Sequence, residues 1–134
     1  MQNPVLLPMF IHMGLSFAIL IRLVYGRLTA IKAAGGIAEI RKKGFAAPVV
    51  NAGDNFRNQF ETPTIFYALC VLLVALQVQS EAITYTAWVY VICRILHALV
   101  HLTNNIIFPY RFVTFLLSIL SLFGLFFLTA QAVL

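Results

Sequence analysis

Apolar positions in this chain come in long blocks, and polar positions cluster between them. The apolar stretches approach or exceed the roughly 18 residues at which a run reads as a membrane-spanning helix. Four such spans are predicted, at about residues 5–24, 55–78, 82–102 and 111–134. The second has a short apolar core from Pro63 to Val78 and needs Asn55–Thr62 as polar opening turns to reach across a bilayer. Pro4 and Pro8 suit the first turn of the first span, where missing amide donors are tolerated. The fold expectation is an all-α integral membrane protein, a single bundle of four transmembrane helices.

Composition agrees. The 134 residues are 62% hydrophobic, mean hydropathy is +0.96, and only 10% are charged, against about 25% in soluble domains. Met1–Met9 has no basic segment and no small-residue cleavage site follows, so the first apolar run reads as a retained helix rather than a signal peptide. Cys70 and Cys93 fall inside predicted helices without CxxC or CxxH partners and read as packing residues.

Charge placement predicts the orientation. Of 9 Lys and Arg, the connection from Tyr25 to Asp54 and its margins hold Arg22, Arg27, Lys32, Arg41, Lys42, Lys43 and Arg57. The connection around Gln79–Glu81 has none, and the third, around Thr103–Arg111, has Arg111. The positive-inside rule then puts connections one and three in the cytoplasm and both termini outside it. Gly35, Gly36, Gly44, Pro48 and Gly53 punctuate the first connection, although Arg27–Ala34 keeps helical character. Arg41-Lys42-Lys43 fits orientation or anionic headgroups. Nucleic acid is not an expected partner, since no aromatic interleaving accompanies the charges. The short turn near Ser80 predicts spans two and three as antiparallel neighbours.

Two polar constellations interrupt the apolar blocks. Arg57-Asn58-Gln59-Phe60-Glu61 opens span two, and Arg94, His97 and His101 follow i, i+3, i+7 along span three. A charge at the bilayer centre costs about 2.5–3.5 kcal/mol on insertion scales, so such residues are functional candidates by default. The predicted orientation gathers Arg57, Asn58, Glu61, Arg94, His97, His101 and Arg111 in the cytoplasmic half, and leaves only His12 and Glu81 in the other. On a continuous helix Arg57, Asn58 and Glu61 share a face. Guanidinium forks suit carboxylates, Glu61 suits an amine, and Asn58 suits an amide or carboxylate. The apolar walls of spans three and four suit a lipophilic small molecule. Structural readings stand beside these: an Arg57–Glu61 intrahelical pair, an Arg94–Glu61 ion pair locking the bundle, satisfied core histidines, and packing or lipid contact for Phe115, Phe123, Phe126 and Phe127. His97 and His101 alone are too few ligands for a metal site, and none is expected.

Asn58-x-x-Glu61-x-Pro63 at the start of span two and Arg94-x-x-His97 in span three resemble the MAPEG family (membrane-associated proteins in eicosanoid and glutathione metabolism), in a bacterial-type member. The resemblance covers nearly the whole chain. It implies a four-helix protomer, a homotrimer, and glutathione bound as co-substrate between adjacent subunits. Many members join glutathione to lipophilic electrophiles or reduce lipid hydroperoxides. Carried over by residue, Asn58, Glu61 and Arg94 match family positions, Arg22 or Arg27 matches a basic residue late in span one, and Arg111 matches the Arg that activates the thiol in some members. Asp54 stands where the family often has Arg, His97 and His101 stand where members carry tyrosines, and Pro63 lies one residue closer to the Glu than in mammalian enzymes. The expected catalytic residues are Arg111 and Arg94. The expected glutathione-binding residues are Arg57, Asn58, Glu61, His97, His101 and Arg27. The expected function is a glutathione-dependent membrane transferase or peroxidase. The alternative is a non-enzymatic trimeric membrane protein binding a small anion or lipid, with a small-cation transporter behind both. The expected location is the bacterial inner membrane, with lipid as the surrounding partner. Reporter fusions at Gly36 and at the carboxyl terminus should report opposite sides of that membrane, and the same side for both would undo the charge argument.

Overall fold

The computed structural model describes residues 3–103 and 107–134. Among them the regular elements are all helical: α1 (Leu6–Ala34), α2 (Ile37–Lys43), α3 (Ala47–Asn58), α4 (Thr62–Ala75), α5 (Glu81–Thr103), a wide turn of π-helix over Ile107–Arg111, and α6 (Phe112–Val133). The third predicted connection lies partly outside the described residues.

Three helices are long and apolar enough to cross a membrane: Leu6–Ala34, Glu81–Thr103 and Pro109–Val133. The fourth apolar helix, α4, has 14 residues, about 21 Å at 1.5 Å per residue, against a hydrocarbon core of about 30 Å. Large apolar side chains point outward all along these helices. Phe17, Ile21, Tyr85 and Phe123 are each more than 65% exposed, a surface that lipid covers and water would not tolerate.

Two expectations change here. The connection from Tyr25 to Asp54 is largely helical, since α1 runs on to Ala34 and α3 begins at Ala47. Span two is not one helix. Pro63 lies in the first turn of α4, where its ring would collide with the carbonyl of Gln59, four residues back, in a continuous helix. The chain therefore ends α3 with tight bonds, Gln59 N–H to Phe56 O at 3.0 Å and Phe60 N–H to Arg57 O at 2.9 Å, and restarts after Glu61.

The ends of the other helices follow from local chemistry. Gly35 closes α1 in the left-handed region, with φ 85°, and Gly35 and Gly36 donate back to Lys32 and Ile31 carbonyls. The end of α4 makes the same motif without glycine. Gln77 takes φ 55°, its N–H meets Val74 O at 3.1 Å, and Val78 N–H meets Leu73 O at 2.9 Å. Asn3 then docks the amino terminus onto this turn, donating from Nδ2 to Val78 O at 2.8 Å and to Leu73 O at 3.2 Å.

In the bundle α5 packs against α6 and α1, and α4 packs against α6 and α1. The opening turns of span two, at the end of α3, pack on α5, whereas α4 and α5 are joined by a short turn without close packing of their backbones. They meet through long side chains, such as the stacked rings of Phe66 and Tyr90, 4.6 Å apart. The apolar core around Val5, Phe66, Leu73, Ile83, Val91 and Leu125 fills the half nearest the amino terminus. α3 covers the other half, against α1 and α5. Because a left-handed conformation costs an L-residue roughly 1–2 kcal/mol, Gln77→Gly should raise the unfolding free energy by about 0.5–1 kcal/mol after the entropy lost with glycine is counted. Chemical denaturation in mixed micelles would read it, and a loss of stability would show that Gln77 is held by interactions beyond its backbone.

Candidate functional site

The interruption between α3 and α4 builds the polar end of the bundle. A helix terminus leaves carbonyls without partners, and in a bilayer the protein itself must satisfy them. Arg94 of α5 does so. Its guanidinium, 1% exposed, donates from Nη2 to Asn58 O at 2.8 Å. One turn earlier on α3, Asn55, fully buried, donates from Nδ2 to Ala98 O at 3.1 Å. Gln59, also buried, turns its amide onto Asn55, donating from Nε2 to both O and Oδ1 at 3.1 Å. These bonds fix α3 antiparallel to α5 in a single register.

The expectation of an Arg94–Glu61 ion pair is not met. Among the described residues the ion pair is Lys42–Glu39 on α2, at 3.0 Å; Arg94 makes its bond to the Asn58 carbonyl instead. The Arg57–Glu61 intrahelical pair is likewise not formed, because those residues lie on either side of the interruption. The shared face expected of Arg57, Asn58 and Glu61 fails for the same reason.

Asn58, Glu61, His97, Arg111, Phe112 and Phe115 line one cleft of about 350 Å³ between the α3–α4 junction, α5 and the start of α6. His97 is buried, with its Nδ1 3.1 Å from Arg111 O. His101 is buried one turn further on, its ring 6.0 Å from that of His97. The structure therefore brings together four of the residues expected in the site. It does not bring in Arg57, which is exposed and absent from the cleft lining, or Arg27, whose guanidinium lies over the Phe45 ring at 5.9 Å. Arg94 sits beneath the cleft, holding one of its walls. Phe115, read from sequence as packing or lipid-facing, lines the cleft and lies 5.6 Å from the His97 ring.

A second cavity of about 360 Å³, walled without polar surface, is lined by Thr62, Ile65, Ile119, Leu122, Phe123 and Phe126. Thr62 follows Glu61 directly, and Ile119 lies one helical turn beyond Phe115, so the linings of the two cavities are neighbours along α4 and α6. The lipophilic wall expected on spans three and four is found on the second and fourth. His12 is fully buried and bonded at Nδ1 to Tyr67 Oη at 2.7 Å, with its ring stacked on Tyr90.

Sequence reasoning misses Asn55 and Gln59 as individual contributors. Their signal is an amide pair in the turns preceding Pro63.

The arrangement is that of an integral membrane protein with a polar cleft at one end of an all-helical bundle and an apolar cavity beside it. The model of the MAPEG family matches residues 5–131, nearly the whole chain, and the chain belongs to that family, which includes glutathione-dependent transferases and peroxidases as well as non-enzymatic members. Neither a curated protein nor a solved structure matches the chain.

The geometry reverses the stability expectation for the two charged residues. Glu61 is exposed and unpaired with Arg94, so Glu61→Gln should change thermal stability little, within about 0.5 kcal/mol. Arg94→Ala should cost about 2–4 kcal/mol, by opening a cavity and stranding the Asn58 carbonyl. Equal effects of the two substitutions in a thermal melt would restore the ion pair.

Proposed function

We propose that this protein is a glutathione-dependent membrane transferase or peroxidase acting on lipophilic electrophiles. The observation that carries this reading is the cleft that joins Asn58, Glu61, His97 and Arg111. Its donor set fits the tripeptide. The Glu61 carboxylate matches an ammonium, the Asn58 amide matches an amide or carboxylate, and the Arg111 guanidinium matches a carboxylate or thiolate. The adjoining apolar cavity receives the electrophile. Positive charge beside a thiol favours its ionised form, which is the nucleophile, and Arg111 is the cation best placed along the cleft. Arg94 serves as a positioning residue under Asn58. We place the active form as a homotrimer in the bacterial inner membrane with both chain ends outside the cytoplasm, and assign Arg57 and Arg27 to the rim of the assembly rather than to this protomer's cleft.

A second reading rests on a different observation. Asn55, Arg94 and His97 each engage a backbone carbonyl of a neighbouring element, which is also what a non-enzymatic trimer holding a small anion or lipid would need.

A glutathione titration on the purified protein separates the two, and Arg111→Ala extends it. The substitution should leave binding largely intact and lower turnover with aryl halides or lipid hydroperoxides by about 10² or more, the usual worth of a positioned electrostatic donor. Absence of glutathione binding at millimolar concentration, together with no turnover, would favour the second reading.

A further inference from the structure

His97 has a property that neither its helical spacing nor membership of the family supplies. Its Nδ1 lies 3.1 Å from the carbonyl oxygen of Arg111. A carbonyl oxygen only accepts, so Nδ1 carries the hydrogen and donates it. In the neutral imidazole this leaves Nε2 as a bare acceptor. That nitrogen is buried and has no hydrogen-bond partner among the described residues, while the residue, 2% exposed, lines the cleft with Asn58, Glu61 and Arg111. The ring is also held from the side by Phe115, 5.6 Å away. The oriented imidazole, its tautomer fixed by a bond on the far nitrogen, is the arrangement that general bases need.

We propose that His97 is the base of the thiol reaction, with Nε2 taking the proton from the glutathione sulfur. This rests on the glutathione reading of the same cleft. The S–H bond breaks and an Nε2–H bond forms, giving a thiolate beside an imidazolium and the Arg111 guanidinium. With an aryl halide the sulfur electron pair forms the new C–S bond. The carbon–halogen bond breaks, the halide leaves with its electron pair, and the imidazolium returns its proton to water. The charged and titratable groups around the ring are Arg94 and His101 on its own helix and Arg111 from the start of α6, with Glu61 across the cleft. Arg111 and His97 then have separate roles, since the cation stabilises the thiolate and the imidazole removes the proton.

The test uses His97→Asn in the purified protein with glutathione, and with the selenol analogue of glutathione, which is already ionised at neutral pH. The asparagine amide keeps a donor for the Arg111 carbonyl and removes the base. Glutathione affinity should stay within about threefold of the wild type. The ultraviolet thiolate band of the bound tripeptide should be lost at neutral pH. Turnover of 1-chloro-2,4-dinitrobenzene should fall by about 10²–10⁴ with the thiol, and remain near wild type with the selenol. His97→Gln provides a second variant with the same expected pattern. An intact thiolate band and wild-type turnover in either variant would overturn the inference and leave the transferase reading standing. So would equal losses with thiol and selenol, the mark of a purely structural histidine. Failure of the wild type to bind glutathione at all would overturn both.

Discussion

A helix terminus buried against the bundle is the constraint on which this structure turns. Pro63 forbids one continuous helix through the second span, and the chain answers with an interruption at Gln59–Glu61. A freed carbonyl that is buried needs a partner from the protein itself. The guanidinium of Arg94 meets the Asn58 carbonyl at 2.8 Å and places positive charge at the negative end of the α3 dipole. Nη2 and the carbonyl satisfy each other, while Nε and Nη1 are buried without a hydrogen-bond partner among the described residues. The neighbouring bond from Asn55 to Ala98 O repeats the pattern with a neutral donor. Without this seam α3 would have no fixed register on α5, and the cleft would lose the wall that carries Asn58.

The interruption also explains how polar groups reach the cleft. On a continuous helix, Asn58 and Glu61 would project from one rod. Here Asn58 closes α3 and Glu61 precedes α4, so the two side chains arrive from different elements. Glu61 stands beside the first turn of α4, where negative charge is favourable. On the opposite wall, the wide π-helical turn over Ile107–Arg111 leads into α6 and ends on the residue whose carbonyl orients His97. Such turns recur at functional sites because they re-aim the following residues.

Much of this is legible in the sequence. Block hydropathy gives the all-helical membrane class; α5 and α6 lie over the stretches predicted as spans three and four, whereas α1 runs on to Ala34, past the predicted end of span one. Loop charges and helix order bring Asn58, Glu61, His97 and Arg111 toward one end, where the cleft lies. The shared face of Arg57 and Glu61 fails because i, i+4 reasoning presumes an unbroken helix, and Pro63 reads as a motif position before it reads as a steric break. An Arg94–Glu61 pair is the natural expectation because opposite charges attract strongly at low dielectric. The competing partner, a backbone carbonyl, exists only once the break is known. Helix α3 is hidden among Gly44, Pro48 and Gly53, residues that usually mark loops. Asn3 gives no signal, since its partners on the α4 turn are 70 or more positions away.

The seam between α3 and α5 bears on the order in which the chain enters the membrane. Asn58 is synthesised before Arg94, so the carbonyl acceptor is already in place when the cation arrives. The charged helix therefore follows, in chain order, the element that carries its acceptor. A permuted chain beginning at α5 would make the guanidinium before the carbonyl that accepts from it. The linear order of the helices is thus part of how a buried guanidinium becomes tolerable, quite apart from the contacts it makes once folding is complete.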